Sequence, residues 1–327
     1  MDTKEGFLAF GPVPSRRLSR SLGINNIPPK ICTYSCVYCQ LGRTLKMRVE
    51  RKPFFRPESI IKSVSLKLEE AGRRGESVDY LTFVPDGEPT LDKNLGKEIE
   101  LLKDLGIKIA VITNASLMWK EDVRDELSRA DWVSVKVDAL SPNVWFRINR
   151  GSRSLELDRI MGGIQEFAKS FSGELNTETM LVKNINESAG EIDKIASFIH
   201  GIKPKKSYIA IPIRPPAEKW VRGVEESTLY LAYRVFSSKF INTEYLISYE
   251  GNAFAFTGNP REDILSITSV HPMREDAVEA YLEKAKGDWG MVEALIKAGE
   301  LVRLNYRGKK FFLRKLKDSL SLRDTGT

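Results

Sequence analysis

The chain has 327 residues, 42% hydrophobic and 29% charged, a balance that supports a sizeable buried core and excludes disorder over most of its length. No run approaches the roughly 20 apolar residues of a membrane-spanning helix, and the N-terminal MDTKEGFLAFGPVPSRR lacks the charged-then-apolar order of a secretion signal, so a cytoplasmic protein without membrane association is expected. The formal charge of +7 fits a solvated basic surface and equally an anionic partner such as RNA or a phosphorylated metabolite.

In chain order, the first feature is a basic stretch, Arg16, Arg17 and Arg20. It reads either as solvated surface or as contacts to an anionic substrate or nucleic-acid phosphate. Residues 21–27 have strand character and lead into KICTYSCVYC, residues 30–39. Runs rich in Val, Ile, Tyr and Thr then predict strands at 78–85 (VDYLTFVP), 108–114 (KIAVITN), 132–138 (WVSVKVD), 175–182 (LNTETMLV) and 207–213 (SYIAIPI). Between them, residues 58–71, 94–105, 155–171 and 187–199 carry apolar side chains at helical spacing. Six βα units of this kind predict an α/β fold with a parallel sheet covered by helices. The expected form is a partial (β/α)6 TIM-like barrel over residues 1–242, with its site at the C-terminal ends of the strands. Residues 243–261 read as connecting strands with glycine turns. Residues 262–317 read as helices near 263–270, 274–286 and 290–298, then a hairpin turning at Arg307 and Gly308. That is the order of a small winged-helix-like module, and residues 318–327 read as a loose tail.

Cys32, Cys36 and Cys39 are the three cysteines of the chain. An odd number rules out complete intramolecular pairing, and the spacing is too tight for a disulfide framework. A metal site in a reducing compartment is the expectation. Three thiolates with three and two intervening residues can wrap one side of a [4Fe–4S] cube, which leaves the fourth iron open to a substrate or cofactor. The alternative is a zinc site completed by a histidine, but His200 and His271 are far away in sequence.

The Cys-x3-Cys-x2-Cys motif, with Tyr38 just before its third cysteine, resembles the signature of the radical S-adenosylmethionine (SAM) superfamily. The resemblance implies a [4Fe–4S] cluster on Cys32, Cys36 and Cys39 as the catalytic centre, with S-adenosyl-L-methionine on the open iron and Tyr38 beside it. Asp86-Gly87-Glu88-Pro89-Thr90 resembles the family's GGEP-type turn. This implies that Gly87, Glu88 and Pro89 hold the methionine amino group, and an acceptor-rich turn suits an ammonium. Asn114 and Ser116 end the next strand, as the family's ribose- or carboxylate-contacting segment does. Lys136 and Asp138 end the strand after that, another place of cofactor contact. At the end of the last barrel strand, Pro212 interrupts ladder pairing and could expose backbone to the adenine. Arg214 follows at the rim as a substrate or cofactor contact.

Over roughly residues 7–240 the chain is similar to the wyosine-type Fe–S oxidoreductases, which include tRNA wybutosine-forming radical enzymes. This implies reductive SAM cleavage, hydrogen-atom abstraction, a flavodoxin- or ferredoxin-type electron donor, and tRNA or another anionic molecule as substrate. A small metabolite or a protein is the alternative substrate. Those tRNA enzymes carry a second cluster on additional cysteines, and this sequence has none left for one. A non-catalytic Fe–S electron carrier or sensor is the competing class. Such a carrier has no need of the Gly-Glu-Pro turn and usually closes its cluster with a fourth cysteine.

The remaining features leave alternatives open. Asn149 and Arg150 read as rim contacts or surface pairing. His271 reads as a capping or packing residue, His200 as a surface residue at a helix end, and the five tryptophans as packing residues. Arg303, Arg307, Lys309, Lys310, Arg314 and Lys315 give the C-terminal hairpin a high positive charge. It could bind nucleic acid, or serve as a protein-interaction or lid module.

Overall fold

Alternation along a strand assigns each side chain to one of two faces, and in this chain the two faces do different work. The computed structural model describes residues 8–315. It begins with β1 (Ala9–Ser15) and β2 (Ser19–Ile24), then the short β3 (Ile31–Cys32) and β4 (Lys46–Met47). There follow α1 (Pro57–Arg73), β5 (Tyr80–Phe83), a 3-10 turn at Pro89–Leu91, α2 (Leu95–Lys103), β6 (Lys108–Thr113), α3 (Glu121–Leu127) and β7 (Trp132–Lys136). The barrel continues with α4 (Pro142–Asn149), α5 (Leu157–Ser170), β8 (Glu174–Met180), α6 (Ala189–Ile202), β9 (Lys206–Ala210), α7 (Glu226–Ser238) and β10 (Thr243–Leu246).

Eight strands form one sheet in the order β1-β2-β5-β6-β7-β8-β9-β10. All neighbours are parallel except β1 and β2. This is an α/β partial barrel. Ile109, Val111, Val133, Val135 and Ile209 belong to the main core with helix residues such as Ile60, Ile99, Val123 and Ile195. Their sequence neighbours Ala110, Trp132, Tyr208 and Ala210 instead cluster with Leu18 and Leu246 on the other face. One parity thus glues helices to the sheet, and the other fills the barrel interior.

The six predicted strands all form, and two more join them. Thr243–Leu246, read from sequence as part of a connection, pairs in parallel with β9 and continues the sheet. Its crossover is α7, whose buried stripe of Leu229, Ala232 and Phe236 is blurred in sequence by exposed Tyr230, Leu231 and Tyr233. At the opposite edge β1 is antiparallel and needs only a three-residue turn to reach β2.

The C-terminal elements are α8 (Pro260–Thr268), β11 (Met273–Arg274), α9 (Glu275–Ala285), α10 (Trp289–Lys297), β12 (Leu301–Tyr306) and β13 (Lys309–Arg314). With β11 paired to β13, the region runs helix, strand, helix, helix, strand, strand. Arg307 and Gly308 both have positive φ, 49° and 72°, as a tight two-residue hairpin requires. The tail at 318–327 lies outside the described residues. The core of this region includes Phe10 and Val13 of β1, so the first strand binds the C-terminal elements to the barrel. The Phe10 ring lies over Gly23, where an added Cβ would stand 2.0 Å from it.

Replacing Phe10 by Ala should therefore empty a space shared by both regions. The expected cost is about 3–5 kcal/mol, read as a lowered midpoint in thermal or urea unfolding.

Candidate functional site

The cysteine segment is suspended at the C-terminal end of the sheet by backbone bonds on two sides. On one side, the Lys30 amide donates to the Asp86 carbonyl (2.8 Å) and the Glu88 amide to the Ile31 carbonyl (3.2 Å). Ile31 and Gly87 form a parallel bridge. A Cβ at position 87 would lie 1.9 Å from the Ile31 oxygen, so only glycine allows this approach. The Lys30 ammonium also pairs with Asp86 at 3.1 Å. On the other side, the last carbonyls of α4 accept from the loop: Val37 N–H to Ile148 at 2.9 Å and Ser35 N–H to Asn149 at 3.1 Å. Helix-end carbonyls that otherwise lack partners thereby anchor the loop. Trp145 meets Tyr34 edge-on, with centroids 5.8 Å apart, and donates its indole N–H to the phenol at 3.2 Å.

Two side-chain amides aim at sulfur. Asn114 Nδ2 lies 3.5 Å from Cys32 Sγ, and Asn149 Nδ2 lies 3.5 Å from Cys36 Sγ. Asn149 also donates to Asp138 Oδ2 at 2.8 Å. The same carboxylate accepts from the Tyr38 hydroxyl, and its other oxygen accepts from the Met180 amide at 2.8 Å. Asp138 therefore locks the cysteine loop to α4 and β8. Burial, reinforced by the Asp138 charge, pushes the Cys36 thiol up to about 12. Burial likewise raises the Cys32 and Cys39 thiols.

Glu88 is also internal. Its carboxylate accepts from the Thr90 amide (3.1 Å) and hydroxyl (2.6 Å), the Thr113 hydroxyl (2.6 Å) and the Asn114 amide (2.7 Å). It ties the turn after β5 to the end of β6, and so sets where Asn114 points.

A cavity of about 280 Å³ opens over the cysteines. Of the residues singled out in sequence, Tyr38, Gly87, Glu88, Asn114, Lys136, Pro212 and Arg214 line it with Cys32, Cys36 and Cys39. Three do not. Pro89 is buried at the start of the 3-10 turn. Ser116 is fully buried and bonds Thr33 at 2.7 Å. Asp138 is buried in the clamp described above. Arg16 and Arg17 do reach the cavity, whereas Arg20 pairs with Asp79 at the surface. Arg150 joins Arg43 on Glu218, which lies over the loop.

Sequence reasoning passed over Glu178. This cavity-lining carboxylate pairs with both Lys136 and Arg17. Burial alone would raise its pKa, but the two cations outweigh burial and hold it at about 2. The signal was present as acidic and amide side chains at alternate positions, Asn176 and Glu178, in a strand buried on both faces. His271 does sit at a helix end, with its amide on Ile267 (2.8 Å). Its imidazole, however, joins Glu250 (2.6 Å) and Arg214 (3.3 Å). His200 bonds the Lys239 carbonyl at 2.7 Å near the end of α6. Trp132 and Trp145 are buried, but Trp220 is 52% exposed.

A family model described as the Radical SAM superfamily matches residues 26–199, just over half of the chain and the whole of the cysteine, Gly-Glu-Pro and Lys136 region. The chain belongs to the radical SAM superfamily. It is 45% identical to the UPF0026 protein MJ1312 of Methanocaldococcus jannaschii, over 95% of this chain and 97% of that one. It is 38% identical to the UPF0026 protein slr1464 of Synechocystis sp., over 65% of this chain and 79% of that one. Among solved structures, a radical SAM methyltransferase from Sphaerobacter thermophilus superposes with a TM-score of 0.54 at 14% identity. The match covers 70% of this chain and 67% of that one, a likeness of fold.

Radical SAM enzymes use a [4Fe–4S] cluster and S-adenosylmethionine, and need a reductant. The residues present fit those groups. Among the described residues no three His, Cys, Asp or Glu converge tightly enough for a single metal ion. A cube of four irons takes each of the three sulfurs on a different iron and leaves the fourth iron open. The two amides aimed at sulfur supply N–H···S bonds of the kind that tune such clusters.

Gly87→Ala should push the Asp86–Glu88 turn off Ile31. The expected result is loss of most iron after anaerobic reconstitution, measured against wild type by iron and sulfide content. Glu178 gives a pH prediction. Its folded pKa lies below the ordinary 4.5, so its stabilisation is present above about 4.5 and fades as pH falls toward about 2. Glu178→Gln should flatten the acid limb of a plot of unfolding midpoint against pH between about 2 and 5.

Proposed function

We propose that this chain is a one-cluster radical SAM enzyme that removes a hydrogen atom from an RNA substrate. In this reading Cys32, Cys36 and Cys39 hold the cluster. Gly87 and the end of β6 at Asn114 hold the methionine part of SAM. The strand ends at Lys136 and Pro212 wall the rest of it, and a flavodoxin- or ferredoxin-type protein donates the electron. Once bound, the cluster supplies the electron that splits SAM into methionine and a 5′-deoxyadenosyl radical. The protein's own share is positional. Glu88 fixes the turn and Asn114 together, Asp138 fixes the loop, and the apolar β5 and β6 ends keep bulk water from the cavity floor.

One observation carries the choice of RNA. Tyr306, at the tip of the β12–β13 hairpin, donates its hydroxyl to the Pro212 carbonyl at 3.0 Å, so the hairpin stands at the cavity rim. Arg303, Arg307 and Lys309 on that hairpin are exposed and form no ion pair among the described residues. Arg222 lies close by, since both it and Arg307 act electrostatically on Tyr306, and exposed Trp220 is two residues from it. Cations flanking an open aromatic face suit a phosphate backbone and a stacked base.

The anaerobically reconstituted protein, given dithionite and SAM, should release 5′-deoxyadenosine. Cys32→Ala, Cys36→Ala and Cys39→Ala should each lose both the cluster and this product. An intact cluster without product would count against the activity. For the substrate, bulk tRNA should be shifted on a gel at low salt, and Arg307→Glu with Lys309→Glu should weaken the shift and reduce its salt dependence. No shift at low salt would sink the RNA reading.

A further inference from the structure

The cavity over the cysteines continues into a second space of about 120 Å³, and Arg16, Arg17, Gln40 and Arg214 border both. At this seam four cations, Arg16, Arg17, Lys136 and Arg214, face two carboxylates, Glu178 and Glu250. Arg17 and Lys136 share Glu178. Arg214 and His271 share Glu250. Arg16 forms no ion pair among the described residues and donates only to the Ser248 carbonyl, at 2.6 Å. Arg214 Nε is buried without a partner. SAM does not balance this excess, because its one carboxylate comes with an ammonium and a sulfonium.

We propose that Arg16 and Arg214 form a binding subsite for an anionic group, phosphate or carboxylate, of the molecule that enters the cavity. The assignment rests on reading this cavity as the reaction site. Desolvated like charges and an unsatisfied buried donor are costly until an anion joins them. Consistent with that cost, burial and the nearby Arg214 lower the Arg16 pKa to about 10. Guanidinium forks match the planar or tetrahedral oxygens of such anions. Gln40, the residue after Cys39, accepts from Arg214 at 2.7 Å, so the subsite is held at a fixed offset from the cysteine loop. Glu250 Oε2 is also buried without a donor, which favours an anion that carries a hydroxyl or amine hydrogen beside its charge.

The test uses the reconstituted holoprotein, oxidised and saturated with SAM so that nothing turns over. It is titrated with inorganic phosphate, followed by 31P line broadening, and separately with 13C-glycolate. Wild type should broaden at least one probe, and Arg16→Gln should raise that probe's Kd on the order of tenfold. Phosphate binding points to a nucleotide or phosphorylated substrate, and glycolate binding to a small organic acid. Binding of neither probe, or an unchanged Kd in Arg16→Gln, overturns the subsite. Binding seen only without SAM overturns it too, because the arginines would then belong to the cofactor. If Arg16→Gln fails to load iron, Arg16→Lys decides: it keeps the charge but loses the fork, so a Kd equal to wild type overturns the proposal. Absence of 5′-deoxyadenosine in the earlier assay would strike the activity and leave this binding result standing.

Discussion

The site depends on one close approach. The turn after β5 lies against the start of the cysteine segment, backbone to backbone, with no room for a side chain at Gly87. From that contact the rest follows in both directions. Upstream, Lys30 and Ile31 acquire partners that fix where Cys32 begins. Downstream, Glu88 is buried far enough to take four donors and to pull the end of β6 against the turn. Asn114 is then placed to reach sulfur. A carboxylate buried this deeply is tolerable because every bond it makes is to a group that would otherwise be unsatisfied.

This shifts the weight carried by the polar residues of the motifs. Glu88, Ser116 and Asp138 resemble cofactor contacts in sequence, since each ends a barrel strand or its turn. In the fold they brace backbone and loops; Ser116 and Asp138 do not line the cavity, and Glu88 reaches it with its carboxylate already spent on Thr90, Thr113 and Asn114. A rigid support shell of this kind is what a small reactive site needs, because displacement of about an ångström at the reacting centre can cost orders of magnitude in rate.

The sequence was most informative where local pattern and function coincide. The cysteine spacing, the Gly-Glu-Pro turn and the β-branched runs of β5, β6, β7 and β9 are local signals, and they located the barrel and the centre of its site. The misses are non-local. β10 has two exposed residues out of four, so its strand character comes from pairing with β9, not from its own composition. β1 contains two prolines and a glycine, which argue against a strand in isolation. It forms because Phe10 and Val13 have a C-terminal core to enter. Glu178 and Glu250 were passed over because their importance comes from cations that lie between 36 and 161 residues away.

The C-terminal elements bear on the cavity as well as on the fold. They share a core with β1, touch the rim through Tyr306 and Pro212, and contribute His271 to the polar cluster around Arg214. Arg16, which immediately follows β1, is therefore placed by the same packing that seats the module. Three regions distant in sequence thus set one wall of the cavity, whereas the opposite wall is set by the cysteine loop and the turn at Gly87. The two walls have different chemistry. The cysteine wall is built around sulfur, amides and neutralised pairs such as Lys30–Asp86. The module wall keeps a net positive charge. On the proposed reading, an asymmetry of this sort orients a charged molecule before any reaction: its anionic end is drawn to the arginines, and the bond to be attacked is directed toward the cysteines. On that same reading, position along that axis, set by packing between β1 and the C-terminal helices, decides which hydrogen atom comes within reach.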